Sequence, residues 1–158
     1  MTDYTVLANA IKATLTADEQ LGNVANVKTI ESRKRGFSVQ SNSDALFFGD
    51  AELPALAIIP NARGKQTSLS TTNEARETHT AQIVVISRDR DAQAGLDAQS
   101  TIVENVERVM EAQRSSSDNL GIDAFVRSVS STDEQFKKGD HYYFATTVEA
   151  QIELTATF

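Results

Sequence analysis

From His141 to Phe158 the chain alternates between two kinds of side chain. The even positions from Tyr142 read Tyr, Phe, Thr, Val, Ala, Ile, Leu, Ala, Phe; the odd positions from His141 read His, Tyr, Ala, Thr, Glu, Gln, Glu, Thr, Thr. A period of two over that length specifies a β-strand with one apolar face and one wet face. The usual strand has about five or six residues. A strand three times as long must overhang its own domain, bend at a bulge, or pair with a neighbouring chain. Any fold for this sequence has to accommodate it.

The rest of the chain supplies partners. Val6, Leu7, Ala10, Ile11 and Leu15 recur at helical spacing, which predicts a helix over Tyr4–Leu21 capped by Thr2 or Asp3 and ended at Gly22. Val24, Val27 and Ile30 predict a short strand. Leu53–Ile59 (LPALAII), bounded by Pro60-Asn61, reads as a strand buried on both faces. His79–Ser87, with Ile83-Val84-Val85-Ile86 at its centre, is a third strand. A second helix follows, capped by Asp89 or Asp91 and ending near Gln113. Its apolar face is Leu96, Ile102, Val103, Val106, Val109 and Met110, and a Glu104–Arg108 pair lies on the outside. Ile122–Ser131 is a plausible strand and Thr132–Asp140 a polar turn region. The order α–(β)–β–β–α–β–β gives a two-layer α+β fold. It is a mixed, mostly antiparallel sheet of four to five strands, with both helices on one face and long loops.

The 158 residues predict one domain spanning 1–158, large enough to bury roughly 70% of its unfolded surface. With 2 prolines, 7 glycines and no internal repeat, nothing marks a linker. No run has the apolar length of a membrane span, and the N-terminus lacks the apolar core of a signal peptide. The absence of cysteine excludes a disulfide scaffold, a thiolate metal site and a Cys nucleophile. This is the composition of a soluble domain of a reducing compartment. There is no Walker pattern, no glycine-triplet fingerprint and no Gly-x-Ser-x-Gly. Asp89, Asp91 and Asp97 have the chemistry of a hard-cation site, but the loop lacks the glycine and terminal Glu of an EF-hand, and helix capping explains them better. His79 and His141 stand alone; only a pocket joining one of them to a carboxylate would raise an enzymatic reading. No cofactor or metal is expected.

Charge is polarised along the chain. The formal charge is -7, yet residues 1–79 carry about -1 of it and residues 80–158 the remainder. The acidic balance argues against general nucleic-acid binding. The run Arg33-Lys34-Arg35, with Lys28, Arg63 and Lys65, is either a solvated loop or a basic surface meeting an acidic one, on a neighbouring copy or near passing DNA. Leu46-Phe47-Phe48 either anchors a long loop to the core or is buried between subunits. Glu149 and Glu153 lie on the wet face of the last strand, solvated or facing a partner. Two long polar segments, Glu31–Glu52 and Asn61–Thr78, are unusual in a compact domain. With no catalytic constellation between them to cover, they point to assembly instead of catalysis. The candidate interface residues are Arg33, Lys34, Arg35, Phe37, Phe47, Phe48, Arg63, Lys65, Glu149 and Glu153.

In layout the chain resembles the tail terminator (tail completion) proteins of long-tailed bacteriophages. The resemblance covers most of the chain. It rests on the N-terminal helix, LPALAIIP at Leu53–Pro60, THTAQIVVIS at Thr78–Ser87, the capped helix after a short acidic turn, and the closing strand HYYFATTVEAQIELTATF. It implies a virion protein, assembled in the host cytoplasm, that forms a hexameric ring on the tail tube. The ring ends tube polymerisation and offers a surface to the head connector. Its partners would be itself, the tube protein and a head connector or head-closure protein, with DNA only passing through the lumen and no membrane. It implies no catalysis, and the family has no catalytic residues to carry over. Another neck protein such as a head-closure or connector adaptor, a monomeric adaptor, and an enzyme of unrecognised type are the alternatives.

Overall fold

The computed structural model describes residues 3–32, 52–60, 65–69, 74–114, 120, 122 and 124–157. The elements are α1 (Asp3–Ala17), β1 (Thr29–Ser32), β2 (Ala55–Ile59), β3 (Lys65–Leu69), β4 (Glu74–Asp89), α2 (Ala92–Glu111), β5 (Ala124–Lys138) and β6 (His141–Thr157). They form an α+β fold: one open sheet in the order β1-β2-β4-β6-β5, with β3 paired to β4 beside β2. Only β1 and β2 run parallel; the remaining pairings are antiparallel.

The alternating segment is the centre of this sheet. β6 pairs with β4 along one edge and with β5 along the other. Its length is therefore matched within its own chain: β4, β5 and β6 have 16, 15 and 17 residues. At about 3.3 Å per residue they form a ribbon on the order of 50 Å long. The irregularity falls in its neighbour, where the register with β6 shifts between Val126 and Ser128. That leaves Arg127 as the extra residue of a bulge.

Both helices lie on the face carrying the even residues of β6. Leu7, Ile11 and Leu15 of α1, and Ile102, Val106 and Met110 of α2, pack with Leu56, Ile58, Ile83, Val85, Val148 and Ile152. Full burial of such side chains stabilises by about 2 kcal/mol each. The opposite face carries a second cluster at one end, in which Ala55, Ala57 and Ile59 join Val84, Ile86, Tyr143 and Ala145, with Phe136 stacked on Tyr143. β2 is thus buried on both faces, as its continuous apolar run predicts. On the odd face of β6, Tyr143 and Ala145 are therefore buried, while the odd residues beyond them are partly or fully exposed.

Several boundaries differ from the sequence expectation. α1 ends at Ala17, not Leu21, because Asp18 Oδ2 accepts from the N–H groups of Gln20 and Leu21 and folds those residues into a turn. Gly22 closes the turn against the helix end, where a Cβ would fall 2.1 Å from the Thr16 carbonyl oxygen. The first short strand begins at Thr29, so Val24 and Val27 precede it. The polar segment Asn61–Thr78 contains β3 and the start of β4, which brings the sheet to six strands. Thr132–Lys138 continues β5; the turn is Gly139-Asp140 alone, with Gly139 at φ 60, the pattern of a type II′ hairpin. In α2, Leu96 is 44% exposed while Gly95 and Gln99 are buried, so the apolar stripe is rotated by one residue at the first turn. Arg108 bonds Asp18, the residue just after α1, at 3.0 Å rather than Glu104, tying α2 to the end of α1.

Candidate functional site

α2 starts where the chain leaves β4. Asp91 is the N-cap, accepting from Gln93 N–H at 2.9 Å and Ala94 N–H at 3.3 Å. Asp89 accepts from Asp91 N–H, and Asp97 from the Gln93 amide. The three aspartates are thereby used as local acceptors at a helix start. Among the described residues no group of three or more His, Cys, Asp or Glu side chains is placed to hold a metal ion.

A chain of buried polar groups fastens α2 to the sheet. Ser87 Oγ donates to Gln99 Oε1 at 2.6 Å. Gln99 Nε2 donates to the Val85 carbonyl at 2.9 Å and to Thr146 Oγ1 at 3.1 Å. Thr146 in turn donates to Asp133 Oδ1 at 2.7 Å. The path runs from β4 through α2 and β6 to β5, and emerges at the surface at Asp133. Its sequence signal is polar residues at core-phase positions: Thr146 interrupts the apolar face of β6, and Gln99 sits within the buried stripe of α2.

Beside Asp133 a groove runs between α2 and the outer edge of β5. One hollow of about 210 Å³ is lined by Leu96, Gln99, Ser100, Val103, Glu104 and Glu107 from the helix, by Ser131 and Asp133 from β5, and by Thr146 of β6 at its inner end. A second hollow, of about 180 Å³, lies between Glu111 and Arg114 on one side and Val126–Val129 on the other. β5 ends the sheet, so its side away from β6 has no neighbouring strand among the described residues. Leu96, which the sequence places on the apolar face of α2, is 44% exposed in this groove, so no sequence signal marks the groove itself.

The sequence-derived interface residues divide sharply. Arg33, Lys34, Arg35, Phe37, Phe47, Phe48 and Arg63 lie outside the described residues, as does Leu46. Lys65 opens β3, opposite His79 in register. Glu149 and Glu153 share the odd face of β6. Glu149 lies opposite Gln82, whose amide approaches its carboxylate at 3.5 Å. Glu153 sits between two guanidinium groups of its own chain, Arg76 of β4 at 3.1 Å and Arg127 of the β5 bulge at 3.5 Å. With a side chain only 13% exposed, Glu153 already has its counter-charges within the subunit.

His79 does lie near a carboxylate. Its Nε2 is 3.8 Å from Glu77 Oε2, and the Tyr4 ring meets the imidazole edge-on at 5.5 Å. Both side chains are buried, at 0% and 2% exposure. They sit between α1 and the sheet, with the Tyr4 ring of α1 against the imidazole. His141 stands at the β5–β6 turn, half-exposed.

No protein-family model matches the chain, and no curated protein matches it. Among solved structures it is similar to a chain from the "Virion of native gene transfer agent (GTA) particle", with 14% sequence identity and a TM-score of 0.54, over 97% of this chain and 99% of that one. The likeness extends over essentially both chains, so the two share a fold from end to end. Among the described residues no helix is long and apolar enough to cross a membrane.

Proposed function

We propose that this chain is a structural component of a phage-like virion, a single domain that assembles into a ring, caps the tail tube and offers the head-joining surface. The observation that carries the proposal is the end-to-end fold likeness to a chain of a gene transfer agent virion. The tail-terminator part rests on the sequence layout described above, and the sheet supports it. An open sheet presents two different edges, β1 and β3 on one side and β5 on the other. Unlike edges favour heterologous contact, which closes into a ring when the rotation between copies fits. In this reading the chain performs no chemistry; it acts through shape and through the charge difference between its two halves.

Native mass spectrometry of the full chain, alone and with purified tail tubes, tests assembly. The expected species is a closed ring, six copies by analogy with tail terminators, either free or only on a tube end. A strictly monomeric chain under both conditions would sink the proposal. Tail length separates a terminator from another neck protein: removing a terminator from a producing cell gives tubes of aberrant length, whereas removing a head-closure protein leaves tube length normal.

A further inference from the structure

We propose that the groove between α2 and the outer edge of β5 receives the basic segment Arg33–Val39 of a second copy of this chain as an added strand. The inference deepens the self-assembly part of the function proposed above and rests on it.

The edge supplies a main-chain template. An end strand offers N–H and C=O groups to an incoming strand, and proteins blunt unwanted pairing with charged residues and bulges. β5 has such guards at Arg127 and at Asp133-Glu134, but Ser128–Thr132 between them carries no charge and is mostly exposed. The groove supplies pockets for side chains. In β-augmentation the backbone ladder gives affinity and hollows beside the edge give selectivity. Here Leu96 and Val103 make an apolar wall, and Glu104, Glu107 and Asp133 make the first hollow acidic, while the second holds Glu111 together with Arg114 and Arg127, so the basic run fits the first.

The matching chemistry is an extended segment with clustered positive charge and apolar residues at alternate positions. Arg33-Lys34-Arg35-Gly36-Phe37-Ser38-Val39 has both: the densest basic run of the chain, then Phe37 and Val39 two apart. A strand directs such a pair to one face.

The source must be another copy. Arg33 follows directly on Ser32, the last residue of β1. β1 lies four strand steps from β5, roughly 19 Å across the sheet. Arg33–Arg35 extend at most about 11 Å beyond Ser32, so they cannot reach the groove of their own subunit. β1, which precedes the basic run in sequence, lies at one edge of the sheet, and the proposed acceptor lies at the other. That is the head-to-tail arrangement a ring requires.

The chain contains no cysteine, so single-cysteine variants cross-link without background. Full-length Phe37→Cys and Ser131→Cys are mixed under mild oxidation, alone and with tail tubes. The expected product is a covalent 1:1 pair of the two variants. A predominant Ser131–Ser131 product, or no disulfide in the mixture, overturns the proposal. As a second measurement, Glu104→Lys with Glu107→Lys weakens self-association by about tenfold or more, and adding Arg33→Glu with Arg35→Glu restores it. Unchanged association, or no recovery, also overturns it; circular dichroism confirms that each variant folds. A ring seen by native mass spectrometry without the 37–131 link removes the groove but leaves the proposed function standing. Absence of any ring from the native chain removes both.

Discussion

Gly95 shows how closely α2 approaches the sheet. A Cβ there would fall 2.4 Å from Phe144 Cε2 and 2.8 Å from the Asp89 Cβ, both belonging to the strands below. Gly95→Leu therefore forces the helix start away, and a loss of about 1–3 kcal/mol in urea unfolding is expected. Gln99 is anchored by bonds instead of fit. Gln99→Leu leaves the buried Ser87 hydroxyl without its acceptor, at a cost of about 1–3 kcal/mol, whereas Gln99→Leu combined with Ser87→Ala recovers part of the loss. Asp18 gives a pH signature. Burial pushes its carboxyl up, but the Leu21 N–H, the Arg108 guanidinium and the Gln20 N–H together outweigh burial and hold it below its ordinary 3.8. A carboxyl lowered in the folded state stabilises above its unfolded value and loses that contribution as pH falls through the folded one. Native protein should lose this increment below about pH 4, and Asp18→Asn should flatten that part of a stability-versus-pH curve. None of these roles is visible in a linear reading. Periodicity places Gly95 and Gln99 on a helix, but their partners are Phe144, Ser87 and Thr146, brought near only when the strands align.

The strands show where periodicity works and where it fails. β6 and β2 were legible because burial marks them: β6 has one face against the helices and β2 has both faces covered. The second half of β5 was not. Residues 131–133, 135 and 137 are exposed and Phe136 alone packs on an apolar cluster, so the segment carries too few buried side chains to show a period of two. What keeps this segment extended is its ladder with β6, a long-range fact. β3 escapes notice similarly: Gln66 and Thr67 are exposed, and pairing with β4 defines the strand. Hydrogen exchange should reveal the hierarchy. Amides of β6 between Phe144 and Leu154, flanked by strands on both sides, are expected among the slowest, while those of β5 facing away from β6 exchange much faster. Equal protection along β5 and β6 would mean that the outer edge is already covered in the free protein. At the hairpin, Gly139 has φ 60 and open space around it, so Gly139→Ala costs about 1–2 kcal/mol through backbone strain alone, readable as a lowered melting temperature.

For the whole molecule, the sequence carried the fold class further than the site. The element order and the asymmetry of charge were readable, because both are sums over many residues. The groove was not, since it is made by a helix ridge at three- and four-residue spacing and a strand a dozen or more residues further along the chain. Self-assembly also leaves a thermodynamic trace. If copies associate in the folded state only, melting temperature rises with protein concentration by mass action, and dilution scans with the Glu104→Lys, Glu107→Lys variant should lose that dependence. A concentration-independent melting temperature for the native chain would argue for a monomer in free solution. Last, the central position of β6 bears on mechanics. A pull along its axis loads the β4 and β5 ladders side by side, in shear, so many hydrogen bonds must yield together; a hairpin peeled from its turn gives way one bond at a time. A chain built around such a ribbon is stiff along the strand axis and more compliant across it.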